Sequence, residues 1–209
     1  MHIIPAFDQT DFTPIMNTAS LIVPFFDHFF IASPALNSHG VALVRSLKTL
    51  YPSLSLMVDS QLVDYGKTNT ELLIQSGADW CSVMAGAPKH VISSACTQAH
   101  AYNKKILLNL IDAPSMGQSS LEAKSLGVDA LLMYKPDKAE EQLAFMDLWD
   151  MARNNTILPI FILSPATKTT IADISTLQPE GIIISKTITH APDPAAEAAF
   201  FTRQYTKNS

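Results

Sequence analysis

Eight short apolar runs, separated by amphipathic stretches, limit what this chain can fold into more than any other feature. The runs are Ile3–Phe7, Phe25–Ala32, Leu54–Val58, Asp79–Met84, Ile106–Ile111, Ala130–Met133, Ile157–Leu163 and Gly181–Ile184. Each is apolar on both faces and often β-branched, as a parallel strand covered on both sides requires. Helical spacing fills the intervals: Asn37–Leu50, Thr68–Ser76, Lys89–Tyr102, Gln118–Leu126, Lys138–Met151, Thr169–Leu177 and Ala195–Tyr205. The first interval, Asp11–Val23, is weaker because Pro14 interrupts it, although proline is tolerated near a helix start. Two phrases repeat one junction, Ser76-Gly77-Ala78-Asp79-Trp80 and Leu126-Gly127-Val128-Asp129-Ala130. In both, a glycine after the helix can take the left-handed conformation that closes the last turn. This alternation predicts an α/β fold, a single (β/α)8 barrel domain over residues 1–209. A doubly wound open sheet is the structural alternative. No Gly-x-Gly-x-x-Gly follows the first run, so its dinucleotide-binding form has little support.

At 209 residues the chain can bury one sizeable core. Its net charge of −5, with Lys104-Lys105 as the only adjacent basic pair, argues against a nucleic-acid footprint. No segment approaches the roughly 20 apolar residues of a membrane span. The amino-terminal residues lack the basic start and long apolar core of a secretory signal, so a cytoplasmic location is expected. Cys81 and Cys96 have no CxxC spacing and no histidine cluster beside them, and they read as buried free thiols.

In such a barrel the side chains just beyond each strand converge on one mouth. Those positions are Asp8, Ser33, Asp59, Gln61, Asp64, Gly86, Asn109, Asp112, Tyr134, Lys135, Ser164, Ser185 and Lys186. Four aspartates, one lysine in the final loop and several neutral polar groups suit a small polar ligand. Structural readings stand beside the functional ones. Asp8 could begin a turn, and Asp64 could favour the N-terminus of the following helix by about 0.3–1 kcal/mol. His190 lies near the final loop and could approach the mouth, but reads as a surface histidine.

The chain resembles the 3-keto-L-gulonate-6-phosphate decarboxylase and 3-hexulose-6-phosphate synthase group of the orotidine-5′-phosphate decarboxylase superfamily. The resemblance is carried by Phe7-Asp8, by Gly40-Val41 through Leu50-Tyr51-Pro52, by Asp59, Asp64 and Gly66-Lys67, by Ala78-Asp79-Trp80, and by Ile188, Ala191 and Asp193-Pro194. The group's most specific motif is Asp-x-Lys-x-x-Asp. Here it reads Asp59-Ser60-Gln61-Leu62-Val63-Asp64, with both acids kept and the lysine replaced.

The resemblance implies a sugar phosphate bound at the mouth and a Mg²⁺-stabilised ene-diolate, with the motif lysine beside the developing oxyanion. It makes Asp59 a metal ligand and sets Asp8 against substrate hydroxyls. Asp64 would reach into a neighbouring subunit, so a homodimer is implied. Several expected partners differ. A second metal-binding glutamate falls on Phe30, a histidine after the sixth strand falls on Tyr134, and an arginine has no counterpart near Lys135-Pro136-Asp137. The glycine pairs that cradle phosphate become Ser164-Pro165 and Ser185-Lys186, leaving Lys186 as a point charge for an anion. Gln61, Asn109, Tyr134, Ser164, Ser185 and Lys186 are the candidate substrate and phosphate contacts. The Mg²⁺ that the resemblance implies is weakened by Phe30 and Gln61.

Three functions are therefore weighed. The first is a carbon–carbon lyase of this group, with Asp8, Asp59 and Asp64 as the catalytic set. The second is a barrel whose family activity is lost or altered, serving as a ligand-binding or structural protein. The third is a sugar-phosphate epimerase, against which the lack of histidines at the strand ends counts.

Overall fold

In the computed structural model, which describes residues 1–136 and 139–205, the apolar runs become eight parallel strands. These are β1 (His2–Phe7), β2 (His28–Ile31), β3 (Ser55–Leu62), β4 (Trp80–Met84), β5 (Lys105–Asn109), β6 (Ala130–Tyr134), β7 (Ile160–Ser164) and β8 (Gly181–Ser185). They pair in chain order, and β8 closes on β1 through the register His2–Gly181 to Ala6–Ser185. The connections carry α1 (Phe12–Ile22), α2 (Ser33–His39), α3 (Val41–Leu50), α4 (Gly66–Gln75), α5 (Lys89–Ala101), α6 (Met116–Ala123), α7 (Ala139–Asn155), α8 (Ile171–Thr176) and α9 (Pro194–Tyr205). This is the (β/α)8 barrel that the alternation predicts. The predicted start of the seventh helix, Lys138, lies outside the described residues.

Alternation along each strand sorts side chains into two cores. Outward residues such as Ile3, Phe7, Leu56, Val58, Ile106, Leu108, Ile182 and Ile184 pack beneath the helices. Inward residues fill the barrel: Ile4, Ala6, Phe30, Met57, Leu107, Ala130, Leu132, Phe161 and Ile183. Trp80 meets Phe161 edge-on at 5.8 Å toward the strands' amino ends, with Lys105 Nζ 4.8 Å from the indole centroid. The middle of the barrel is therefore plugged with hydrocarbon, and polar inward side chains occur toward its two ends.

Three boundaries differ from the sequence expectation for identifiable reasons. The predicted helix Asn37–Leu50 is two helices, because Gly40 sits at φ 56°, ψ −151°, a conformation that α-helix cannot continue. β2 starts late because Pro24 lies in a 3-10 turn over Val23–Phe25. β3 runs four residues beyond the expected Val58 because a bulge lets it keep pairing with β4.

The repeated junction has a structural purpose that periodicity does not reveal. The Asp79 amide donates to Leu56 O at 2.9 Å while its Oδ2 accepts from Leu56 N at 2.9 Å. Asp129 repeats this on Ile106, through O at 3.1 Å and N at 2.8 Å. Each aspartate thus brackets the start of the preceding strand. Lys48 Nζ and Lys104 Nζ hold the two Asp79 oxygens at 2.7 and 2.6 Å. Burial pushes the Asp79 carboxyl up, but the bonds from Lys104, Lys48 and Leu56 N outweigh it, and the net direction is down. Cys81 and Cys96 are both free and buried. Burial, with Asp79 near the first and Asp129 near the second, pushes each thiol up to about 12.

Asp79→Ala strands two partly buried ammonium groups and one strand-end amide, and about 3 kcal/mol of lost stability is expected. Because the native Asp79 carboxyl titrates below its unfolded value, its contribution is complete above the unfolded range and fades as pH falls through the native one. Thermal melts of wild type and Asp79→Ala should therefore converge in acid. A constant difference down to pH 2 would contradict this account.

Candidate functional site

The bulge in β3 assembles the first half of the site. Val58 pairs with Cys81 and Leu62 with Val83, so the segment Asp59–Gln61 loops out of the regular ladder. Two serine hydroxyls replace the missing backbone partners. Ser60 Oγ accepts from Ser82 N at 3.1 Å and donates to Ser82 O at 2.8 Å. Ser82 Oγ accepts from Gln61 N at 2.9 Å and donates to Asp59 Oδ1 at 2.7 Å. Gln61 is held at φ 47°, a left-handed conformation that costs a non-glycine residue on the order of 1 kcal/mol. Its amide Nε2 reaches back to Asp59 Oδ2 at 2.9 Å. From β5, Asn109 Nδ2 donates to Asp59 Oδ1 at 3.3 Å and Asn109 Oδ1 accepts from Ile111 N. The sequence candidates Asp59, Gln61 and Asn109 are thus brought together.

Asp59 is only 4% exposed and its three side-chain donors are all neutral. Desolvation raises its pKa above the usual carboxylate range, against the opposing bonds from Ser82, Gln61 and Asn109. A buried carboxylate without a cation is costly, and such groups concentrate where chemistry or binding needs them. The donor set does not fit the Mg²⁺ that the resemblance implies. Oδ1 of Asp59 already accepts two hydrogen bonds and Oδ2 one. Phe30, where a second carboxylate was expected, is part of the apolar plug. Among the described residues no three His, Cys, Asp or Glu side chains could share an ion.

The second half of the site lies where β8 meets β1. Thr189 Oγ1 donates to Ala6 O at 2.8 Å and Gln9 Nε2 donates to Thr189 O at 2.9 Å, stapling the last connection onto the end of β1. That staple places His190 Nε2 2.5 Å from Asp8 Oδ1. Ser185 shares the inward register of Ala6. Lys186 follows at φ 63° and makes no ion pair among the described residues. A groove of about 550 Å³ runs between the loops after β7 and β8, lined by Thr167, Lys168, Thr169, Lys186, His190 and Glu197.

Other candidates fall elsewhere. Asp64 is exposed on the loop after β3, its Oδ1 accepting from Tyr65 N, between Val63 at 57% and Tyr65 at 70% exposure. Tyr134 lines an apolar cavity of about 460 Å³ with Ile111, Met116 and Phe145. Ser164 pairs with outward Ile184 and is buried, so its side chain sits beneath the helices rather than over the mouth. Asp112 accepts from Gly86 N, joining the loops after β4 and β5. Asp137 lies outside the described residues. Two members of the site were not among the sequence candidates. Ser82 carried one signal, a polar residue at an inward position of an otherwise apolar strand. His190 carried only its place near the final loop, and its pairing with Asp8, 182 residues away, had no local signal.

A model described as the Orotidine 5′-phosphate decarboxylase / HUMPS family matches residues 1–156. The 3-hexulose-6-phosphate synthase of Methylomonas aminofaciens is 26% identical over 199 residues, covering 94% of this chain and 95% of that protein. The crystal structure of 3-hexulose-6-phosphate synthase from Salmonella typhimurium superposes with a TM-score of 0.87 at 24% identity, covering 97% of each chain. That of KGPDC from Streptococcus mutans, in complex with D-R5P, gives 0.84 at 17% identity, covering 97% of this chain and 95% of the other.

Asp59→Asn removes a buried charge while keeping the side chain's shape, and the Gln61 amide can turn to donate or accept. The charge destabilises the fold above the raised native pKa, and that penalty disappears as pH falls below the unfolded value. The variant should melt roughly 2–4 °C above wild type at neutral pH, with the gap closing toward pH 3. A lower melting temperature at pH 7 would show that Asp59 is structural.

Proposed function

The chain belongs to the orotidine 5′-phosphate decarboxylase / HUMPS family, and on that premise we propose that it is a sugar-phosphate barrel whose family carbon–carbon lyase activity is lost or altered. One observation carries the reading. Where the family motif has a lysine, the Gln61 amide closes on Asp59, and a neutral network replaces an acid–cation pair. Gln61 supplies no full charge, and losing one such electrostatic stabiliser typically costs about 10²–10³ in rate. Phe30 removes the second carboxylate that a shared ion needs.

On this reading the ligand's phosphate lies by Lys186 in the groove after β7 and β8, and its carbon chain crosses the mouth toward Asp59 and Asn109. Asp8, Asp59 and Asp64 are the retained acids. Gln61, Asn109, Ser185 and Lys186 are contacts, while Tyr134 and Ser164 act at most from the margin. Ser164 contributes no side-chain contact, since it packs outward. The working unit is a cytoplasmic homodimer of one-domain subunits. Asp64, flanked by exposed Val63 and Tyr65, faces the partner subunit. No helix among the described residues is long and apolar enough to cross a membrane.

Two measurements test the reading. Incubation with Mg²⁺ and either 3-keto-L-gulonate 6-phosphate or formaldehyde plus ribulose 5-phosphate is expected to give no turnover above a blank. Family-level rates would overturn the loss. Calorimetric titration with Mg²⁺ should give heat for the double variant Phe30→Glu/Gln61→Lys and none for the parent. Silence from both would place Phe30 or Gln61 outside the ion's locus.

A further inference from the structure

We propose that His190 is a ligand-contacting specificity residue, aimed by Asp8, which reads a hydroxyl on the carbon chain of a phosphorylated sugar whose phosphate is held at Lys186. The inference rests on the sugar-phosphate reading above and adds a residue to it.

His190 is the one described side chain that both lines the groove containing Lys186 and touches the acid at the end of β1. It is fixed from three directions. Its backbone N–H donates to Lys186 O at 2.8 Å, the neighbouring Thr189 is stapled to β1, and its Nε2 meets Asp8 Oδ1. A carboxylate only accepts, so Nε2 carries the hydrogen and Nδ1 is the nitrogen left for a ligand. No hydrogen bond to Nδ1 is made among the described residues. The ring is 41% exposed on its side chain and Asp8 18%, so the imidazole is the more accessible of the pair to a ligand in the groove. Asp8 therefore acts through His190 as a positioning residue rather than touching hydroxyls directly.

The chemistry of the ligand follows. Lys186 offers a point charge suited to a phosphate oxygen. Nδ1 offers an acceptor in the neutral ring and a donor in the cationic one, and a hydroxyl matches either. A phosphate ester with a hydroxylated chain satisfies both groups, whereas inorganic phosphate satisfies Lys186 alone.

Calorimetric titration of the full chain with inorganic phosphate and with ribulose 5-phosphate tests this. Lys186→Ala is expected to weaken both ligands. His190→Phe, which keeps a ring and removes both nitrogens, should weaken ribulose 5-phosphate roughly 3- to 10-fold, the worth of one neutral hydrogen bond, and leave inorganic phosphate unchanged. His190→Asn, whose amide can occupy the Nδ1 position, should recover part of the loss. Adding Asp8→Asn to His190→Phe should cause no further loss, because Asp8 acts through the missing ring. Equal binding of ribulose 5-phosphate by wild type and His190→Phe, or additive losses in the double variant, would overturn the role of His190 alone. Binding of neither ligand by wild type would overturn the sugar-phosphate reading itself, and the role of His190 with it.

Discussion

Hydrocarbon occupies the inward positions below the mouth, and that filling governs both the shape of the barrel and the placement of its chemistry. Ile4, Phe30, Met57, Leu107, Leu132, Phe161 and Ile183 interlock across the axis, as close packing demands of a barrel of this size. A polar side chain in that layer has no water to meet. Polar groups are therefore displaced to the rim, where strand ends and loops can satisfy them. Of the two rims, the carboxyl one is where Asp59, Gln61 and Asn109 gather.

Phe30 shows how closely plug and site are linked. An acid at that position would need a counter-charge, and the side chain that closes on Asp59 from β3 is the neutral amide of Gln61. Phe30 and Gln61 are mutually consistent, since neither brings a charge into a space with little water. Asp59 remains, stabilised by hydroxyl and amide donors that reach it because the β3 bulge is itself sealed by Ser60 and Ser82. The carboxylate therefore sits in a polar but uncharged nest, held by Ser82, Gln61 and Asn109.

The sequence made the barrel legible because strand burial and helix amphipathicity are short-range patterns. Asp59 and Asn109 could be placed at the mouth because both fall on the inward parity of strands whose cores were plain. Ser164 could not, since β7 begins at Ile160, inside the run Ile157–Leu163, and its register sets Ser164 beside outward Ile184. The brackets made by Asp79 and Asp129 appeared in the sequence only as a repeated phrase, because their partners lie 23 residues earlier, on the preceding odd-numbered strand. The Asp8–His190 contact was the least legible of all. It exists only because β8 closes on β1, a consequence of the complete circuit rather than of any local signal.

Cys81 lies among outward strand side chains and Cys96 on the inner face of α5, both deprived of water and beside a carboxylate. Both thiols are held up and buried, so thiol-directed reagents find no reactive thiolate on the native fold. The chain thus offers a silent background for site-directed labelling. A single cysteine introduced on an exposed loop would carry a fluorophore or spin probe without prior removal of the native pair.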